Sequence, residues 1–323
     1  MSFKIIRNDI TKVKADIIVN TANPRPIIGK GTDTAIYHAA GEKELLAERE
    51  KIGNIPPGEA RATLAFNLSA KHIIHTVGPA WVDGNHGEKD ILHSCYANSL
   101  ELAKKLKANS IAFPLIATGI YEFPKYEALN IALAEIGKFL LINDMNVILV
   151  VFDKKSFELS EQLTGHIDEF IDEHNVNLIR QHEYNSHHSR LNLNRRISDR
   201  TRTLDDVLNN VGDNFQQRLF KLIDASGMND VEVYKKANID RKLFSNIRCK
   251  ENYKPKKKTA IALAIALKLD MSTMLDLLSR AEIAFSPSNK FDLIIKYFVI
   301  NGIYDIFEIN AALFKYGQPI LGE

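Results

Sequence analysis

The first 155 residues alternate between short runs of consecutive apolar residues and longer amphipathic stretches. The apolar runs are rich in β-branched residues, which suits strands that are covered on both faces. They lie at 15–20, 72–77, 110–116 and 146–152, and helical patterns lie between them at 33–40, 88–106 and 125–143. This alternation predicts an α/β sandwich around a largely parallel or mixed sheet.

The pattern changes after residue 174. Residues 156–174 continue as one amphipathic helix, but 175–203 are rich in Asn, His, Ser and Arg, which predicts a polar, basic linker. Beyond it the chain reads as nearly all helix, with candidate helices at 207–209, 215–225, 231–237, 241–247, 259–267, 272–283 and 290–301. We therefore predict an α/β domain over 1–174, a linker over 175–203 and a separate all-α domain over 204–323.

Composition supports two domains and excludes several classes of protein. The 323 residues are 45% hydrophobic and 25% charged, which is enough apolar material for two cores. The cysteines, Cys95 and Cys249, are too few and too far apart for a disulfide framework or a zinc site. No apolar run approaches the length of about 18 residues needed to span a membrane. We expect a cytoplasmic protein without a metal site, a cofactor or a membrane contact.

Two loops rich in small residues follow predicted strands. The first strand ends at Asn20–Asn23, and the loop after it contains Gly29 and Gly31 before Asp33 opens a helix. A second such loop, 117–121, follows the strand that ends at residue 116. Ligands of open α/β sheets bind at the carboxyl ends of the strands, and glycines before a helix let backbone N–H groups approach an anion. Two such loops could hold a diphosphate, although each alone is also compatible with a plain turn.

Six ordered segments resemble the macrodomain family, and their closest likeness is to the MacroD type of ADP-ribosyl hydrolase. They are 6–11, 18–23, 33–41, 58–60, 75–79 and 113–121. The resemblance runs from about residue 3 to residue 155. It implies a three-layer α/β/α fold with a mixed central sheet and a site for ADP-ribose or an ADP-ribosylated substrate.

The resemblance also implies roles for individual residues. Asp9 would accept a hydrogen bond from the adenine amino group, and Phe152 would stack on adenine. Asn23 and Asp33, ten residues apart, match the catalytic pair of the hydrolytic subgroup: Asn23 would hold the distal ribose, and Asp33 would orient or deprotonate water. The full set of predicted ligand-binding residues is Asp9, Ile10, Asn23, Gly29, Gly31, Ala117, Thr118, Gly119, Ile120, Tyr121 and Phe152.

Asp33, Asn23 and Asp9 also have purely structural interpretations. Asp33 would serve as a helix cap, Asn23 as a turn residue before Pro24, and Asp9 as the cap of a turn. His75 and Thr76 are interpreted as structural residues of a buried strand.

The loops also depart from the family pattern, because Ile28 and Lys30 interrupt the first glycine run and Glu122 stands where glycine is common. Thr34 replaces a usual glycine, and Ala117 replaces a frequent serine. We expect Lys30 and Glu122, which carry opposite charges, to face each other across the cleft.

The second half resembles the helix-turn-helix domains of phage repressors over roughly residues 215–285. Asn238 tolerates a left-handed turn, and Asp240 is a good N-cap for the helix that follows. Ten Lys and Arg residues oppose only Asp240 and Glu251 between positions 235 and 258, a balance that suits contact with phosphates. The residues predicted to face DNA are Arg241, Lys242, Ser245, Asn246 and Arg248. The alternative is a solvated basic face on a helical interaction domain.

Three functions remain open at this point. The first is an ADP-ribosyl hydrolase acting on mono-ADP-ribosylated protein or O-acetyl-ADP-ribose and targeted by its helical domain. The second is a DNA-binding regulator that senses an NAD-derived nucleotide. The third is a hydrolase of ADP-ribosylated nucleic acid, which would use both halves. A pure sensor has no need of the pair Asn23 and Asp33, which favours the first.

Overall fold

A six-stranded mixed sheet forms the centre of the N-terminal half. The computed structural model describes residues 2–152, 157–188 and 212–322, with side chains in the helix 161–188 described up to residue 174. The strands are β1 (Ser2–Arg7), β2 (Ile17–Thr21), β3 (Ala60–Leu64), β4 (His72–Thr76), β5 (Ser110–Pro114) and β6 (Asn146–Val151). Their order is β1-β6-β5-β2-β4-β3, and only β3 runs antiparallel to its neighbour.

Helices cover both faces of this sheet. They are α1 (Thr32–Ala40), α2 (Glu42–Ile52), α3 (Glu88–Lys105) and α4 (Lys125–Ile142), with a short 3₁₀ helix at Ile10–Lys12. Ile18 and Ile73 point toward α1 and α2, whereas Val19 and Ile74 point to the face packed by α3 and α4. Successive strand residues thus bury alternate faces, and the predicted three-layer fold with a mixed sheet is confirmed.

Three elements of this half were not predicted. The strands β1 and β3 lie at the two edges of the sheet, and each has only two buried residues, Phe3 and Ile5 in β1 and Ala60 and Thr63 in β3. The helix α2 buries only Leu45 and Arg49, so its apolar pattern is too weak to identify. Continuous burial, which made the central strands visible in the sequence, is absent at all three.

A long helix leads out of the α/β half. This helix, α5, spans Glu161–His188, so it extends beyond the predicted end at residue 174 into the predicted linker. The rest of that linker up to residue 203, and the candidate helix at 207–209, lie outside the described residues.

Seven helices form the described part of the C-terminal region, residues 212–322. They are α6 (Phe215–Ser226), α7 (Asp230–Lys236), α8 (Arg241–Cys249), α9 (Lys257–Ala266), α10 (Met271–Ser279), α11 (Lys290–Ile300) and α12 (Ile306–Lys315). Six match predicted helices, and α12 was not predicted. Among the described residues, no helix is both long and apolar enough to cross a membrane.

The helical region packs against the free edge of β1. The Asn238 side chain accepts a hydrogen bond from the Phe3 N–H at 2.7 Å and donates one to the Phe3 carbonyl at 3.0 Å. The Phe3 and Phe307 rings meet edge to face at 5.2 Å, and a Cβ on Gly137 would lie 3.1 Å from the Phe307 ring. The Lys235 ammonium adds an ion pair with Asp144 at 3.6 Å.

Candidate functional site

A cleft of about 870 Å³ opens at the carboxyl ends of the parallel strands. Its walls come from the loop after β2, the start of α1, the loop after β5 and the end of β6. The residues that line it are Asn8, Asp9, Ile10, Thr21, Ala22, Asn23, Ile28, Gly29, Lys30, Gly31, Thr32, Asp33, Ala35, Pro114, Leu115, Ala117, Thr118, Gly119, Ile120, Tyr121, Val150, Val151 and Phe152. Every residue predicted to bind the ligand lies in this lining, together with Asp33.

The first loop presents the start of α1 to the cleft. Gly31 precedes the helix with φ of 67° and has no side chain to cap it. Because no side chain caps the helix, the N-terminal amides of α1 are available to an anion. The Gly29 N–H donates to Asp33 Oδ2 at 2.5 Å, and a Cβ on Gly29 would lie 3.0 Å from that oxygen. Glycine at both positions therefore has a steric reason.

The second loop closes on itself through backbone hydrogen bonds. The Phe123 N–H donates to the Ala117 carbonyl at 3.1 Å, and the Glu122 N–H donates to the Gly119 carbonyl at 3.0 Å. Ala117 and Glu122 adopt positive φ values of 65° and 52°, which is uncommon for residues other than glycine. The exposed Gly119 and Ile120 form the outer rim of the cleft.

Asp33 is a buried carboxylate with two hydrogen-bond donors behind it. Its side chain is enclosed in the first turn of α1, where Oδ1 accepts from Asn20 Nδ2 and Oδ2 from the Gly29 N–H, both at 2.5 Å. Burial raises the pKa of Asp33, and the bonds from Asn20 and Gly29 and the charge of Arg49 oppose that rise. A carboxylate with a raised pKa in a cleft is better suited to accept a proton than one in open water.

Asn23 lies in the same lining but is held in a turn. Its Oδ1 accepts the N–H of Arg25 at 3.0 Å, which is the turn interaction expected of an asparagine before proline. The Asn23 carbonyl accepts from the buried Arg49 guanidinium at 3.2 Å, and the same guanidinium donates to the Gly53 carbonyl at 2.8 Å. Arg49 therefore ties the loop to the end of α2.

A row of buried polar side chains runs behind Asp33, and sequence reasoning missed its connection to the site. Asn20 Nδ2 lies 3.2 Å from His75 Nδ1, and His75 Nε2 lies 3.0 Å from Thr63 Oγ1. Burial first, and then the charge of Arg49, lowers the pKa of His75 to about 3, so the imidazole is neutral at ordinary pH. The sequence did contain a signal for this row, because the polar residues Asn20 and His75 lie inside runs that were interpreted as fully buried strands.

The opposite end of the cleft holds Asp9 and Phe152. Asp9 caps the 3₁₀ helix by accepting the Thr11 N–H at 2.9 Å and the Thr11 hydroxyl at 2.7 Å. Phe152 follows β6 with 75% of its surface exposed. An aromatic side chain left this open beside a cleft can stack on a planar ligand.

Lys30 and Glu122 lie on the two opposite loops. Lys30 lines the cleft, whereas Glu122 lies outside the lining, and within the described parts of the chain the two form no ion pair. The expected pairing of these two charges across the cleft is therefore not formed in this structure.

In the helical region, α8 presents a polar face. Arg241, Lys242, Ser245 and Asn246 are exposed, while Phe244 and Ile247 are buried beneath them. Arg248 is exposed but engaged, since it pairs with Asp230 at 2.5 Å and lies over the Phe220 ring at 4.4 Å.

The link between α7 and α8 contains Asn238 in the left-handed conformation, with φ of 53°. Asp240 caps α8 by accepting the Leu243 N–H at 2.8 Å. Both local features agree with the left-handed turn and the N-cap predicted at these positions.

The α/β half is similar to known macro domains over most of their length. The Macro domain family model matches residues 19–132. A Macro domain-containing protein of Methanosarcina mazei is 46% identical over 47% of this chain and 82% of that protein. O-acetyl-ADP-ribose deacetylases of Cronobacter turicensis and Escherichia fergusonii are 42% and 41% identical, over 51% and 49% of this chain and 97% and 93% of their own lengths. A solved structure, the Oceanobacillus iheyensis macrodomain with ADP, is 42% identical over 47% of this chain and 84% of that chain, with a TM-score of 0.46.

These sequence matches cover nearly the whole of the relatives and about half of this chain. The family model covers the end of β2, all of β3, β4 and β5, and both loops after β2 and β5. The chain belongs to the Macro domain family.

Proposed function

We propose that this chain binds ADP-ribose in the cleft and hydrolyses ADP-ribosyl linkages, with O-acetyl-ADP-ribose or a mono-ADP-ribosylated protein as substrate. The observation that carries the proposal is the buried carboxylate of Asp33, which shares one cleft with Asn23 and the two ligand loops. The relatives named O-acetyl-ADP-ribose deacetylase, at 41% and 42% identity, support it.

Binding would use backbone amides for the anionic part of the ligand and an aromatic side chain for the base. The start of α1 offers N–H groups and the positive end of the helix dipole to a diphosphate. Asp9 and Phe152 lie at the adenine end, where they would accept the amino group and stack on the ring. Asn23 would hold the distal ribose at the other end.

Hydrolysis would use Asp33 as the group that orients or deprotonates water. With a mono-ADP-ribosylated protein, the water oxygen bonds to the anomeric carbon and the bond from that carbon to the protein side chain breaks. With O-acetyl-ADP-ribose, the water oxygen adds to the acetyl carbonyl carbon and the ester bond to the ribose oxygen breaks. In both cases Asp33 takes a proton from the water and the leaving group takes up a proton. Reaction at the anomeric carbon passes through a state with positive charge on the sugar, which a nearby carboxylate stabilises. The raised pKa of Asp33 suits the role of base.

The decisive test compares the purified full chain with its Asp33→Ala variant. Calorimetry measures ADP-ribose binding, and turnover is followed with O-acetyl-ADP-ribose and with mono-ADP-ribosylated protein. We expect Asp33→Ala to lower turnover by about 10²–10⁴-fold, as loss of a general base does, while ADP-ribose still binds.

The matched control is Asp90→Ala, which removes an exposed carboxylate from α3 and is expected to leave turnover unchanged. Asn23→Ala is expected to weaken binding and turnover together. Full turnover by Asp33→Ala, or no ADP-ribose binding by the unmodified chain, would contradict the proposal.

The division of the chain into a macro domain over 1–174, a linker over 175–203 and a helical domain over 204–323 is part of this proposal. In it the helical domain targets the hydrolase. A second candidate function is a DNA-binding regulator that responds to the bound nucleotide. It is favoured by the exposed polar face of α8, where Arg241, Lys242, Ser245 and Asn246 lie free of the core.

Titration of a DNA duplex at several salt concentrations tests this second function. Contacts with phosphates make affinity fall steeply as salt rises, and Arg241→Ala with Lys242→Ala is expected to flatten that dependence. Lys43→Ala on the exposed surface of α2 is the control. Absence of salt-dependent binding would exclude the DNA-binding regulator. Turnover of ADP-ribosylated DNA would instead favour a hydrolase that uses both halves of the chain.

A further inference from the structure

The row behind Asp33 crosses three neighbouring strands on one face of the sheet. Asn20 of β2 pairs with His75 of β4 in the parallel ladder, and Thr63 lies on the adjacent β3. All of these side chains are at least nine-tenths buried, as is Asp33 on the helix above them. Polar groups enclosed in this way depend on one another for hydrogen bonds, so the bonds that they form constrain their hydrogen positions.

The direction of each hydrogen bond follows from the two ends of the row. At one end, the Asp33 carboxylate accepts, so Asn20 must present its N–H₂ group toward Oδ1. At the other end, Thr63 Oγ1 donates to the Leu64 carbonyl at 3.1 Å, which leaves that oxygen to accept from His75 Nε2. His75 Nδ1 is then unprotonated and accepts the second N–H of Asn20.

The other tautomer would break this arrangement. With a proton on Nδ1, His75 would repel the Asn20 N–H₂ group and favour rotation of the amide. Asn20 Oδ1 would then face the Asp33 carboxylate, an arrangement of two acceptors with no hydrogen between them. Asn20 Oδ1 has no hydrogen-bond partner among the described residues, so no other bond holds it in place.

We propose that His75 is a positioning residue for Asp33: as the neutral Nε2–H tautomer, fixed by Thr63, it holds the Asn20 amide with its N–H directed at the carboxylate. This inference rests on the proposed hydrolytic role of Asp33. The other charged or titratable groups that face Asp33 are Arg49 of α2, Tyr37 of α1 and Tyr121 of the second loop.

The sign of the pH effect follows from the bond that is lost. The Asn20 N–H stabilises the ionised form of Asp33, so its loss raises the pKa of that carboxyl. Because a general base acts in its ionised form, turnover is lost as pH falls through this pKa. Disruption of the row therefore moves the acidic limb of the pH–rate profile to higher pH.

The first experiment needs no variant and no turnover. Nitrogen NMR of the full chain labelled at histidine reports which ring nitrogen of His75 carries hydrogen. We expect a protonated Nε2 and an unprotonated Nδ1 at neutral pH. Hydrogen on Nδ1 would overturn the proposal whether or not the chain proves to be a hydrolase.

The second experiment compares Thr63→Val with Thr63→Ser. Valine has nearly the shape of threonine but cannot accept from His75, whereas serine retains the hydroxyl. We expect Thr63→Val to move the acidic limb of turnover of O-acetyl-ADP-ribose upward by about one pH unit, which lowers kcat about tenfold at a pH below the limb. KM is expected to stay unchanged, and Thr63→Ser is expected to restore the original profile.

Carbon NMR of the Asp33 carboxyl gives the same titration without a substrate. If the chain turns over no ADP-ribosyl compound, the proposed function fails, while this titration still tests the positioning role. An Asp33 titration identical in Thr63→Val and the unmodified chain would overturn the role of His75, even with full hydrolytic activity present.

Discussion

Backbone N–H groups lie exposed in the cleft near the carboxyl end of β1 but are hydrogen-bonded near its amino end. Its carboxyl end leads to the cleft, where the uncapped start of α1 offers N–H groups to a ligand. Near its amino end, the N–H and carbonyl of Phe3 would lie free at the sheet edge, but the Asn238 side chain pairs with both. Backbone polar groups are thus left without a side-chain partner where a ligand is expected, and they are hydrogen-bonded by a side chain where the helical region docks.

This difference separates the residues that hold the molecule together from those that line the cleft. Among the described residues, every side chain in the cleft lining belongs to the first 152 positions. The helical region contacts β1, α4 and α5 instead. We therefore expect changes at the docking contacts to alter stability, and changes in the cleft to alter binding.

The largest effect is expected inside the helical region, at the pair of Lys257 with Asp292. Asp292 is fully buried, and its Oδ2 accepts from Lys257 Nζ at 2.6 Å and from the Ser286 N–H at 2.7 Å. Lys257→Met leaves a buried carboxylate without its cation and is expected to cost about 3–5 kcal/mol in unfolding free energy. Denaturant titration measures this loss, and calorimetry is expected to find ADP-ribose affinity unchanged in the folded variant.

The neighbouring Lys258→Met is the control for this change, and combining Lys257→Met with Asp292→Asn is expected to recover part of the loss. An ADP-ribose affinity that falls in Lys257→Met under conditions where the protein is fully folded would show that the two regions are coupled.

A smaller loss is expected at the docking contact itself. Asn238→Gly keeps the left-handed conformation accessible but removes both hydrogen bonds to Phe3, and we expect it to cost about 2–3 kcal/mol. Asn252→Gly is a matched control, because Asn252 has a similar φ of 56° but is exposed. Thermal and denaturant unfolding give both values, and equal costs at the two positions would refute the docking role of Asn238.

The smallest effect is expected in the cleft, at Phe152. Removal of one exposed stacking ring by Phe152→Ala should weaken ADP-ribose binding about tenfold, equivalent to about 1.4 kcal/mol, and leave the unfolding free energy nearly unchanged. Ile142→Ala removes a similarly exposed apolar side chain at the end of α4 and serves as control. Binding that survives Phe152→Ala intact would remove the adenine end from the proposed site.

Much of the α/β half could be predicted from the sequence because its central strands are buried on both faces. Their near-continuous apolar runs, and the glycines at 29 and 31, required no knowledge of neighbours. The edge strands and α2 could not be identified in this way, because only two residues of each are buried and the rest of each element shows no apolar pattern. α12 was missed although it buries Ile306, Ile309 and Leu313.

The cleft was predictable to a similar degree, and for the same reason. Its loops follow the central strands, so Asn23, Asp33 and residues 117–121 were placed together by their position after strands. The contribution of His75 could not be predicted, because it depends on the register between β2, β4 and β3. Likewise, the basic count between 235 and 258 gave no sign that Asn238 faces the sheet edge or that Arg248 is paired.

The tight contact of Gly137 with the Phe307 ring has a consequence for the study of related chains. A Cβ at this helix position would lie 3.1 Å from the Phe307 ring, so the ring would have to shift slightly to accept a side chain there. A macro domain without such an attachment has no ring at this position to shift. Glycine at this one position could therefore serve as a marker when genomes are searched for proteins built to the same two-part plan.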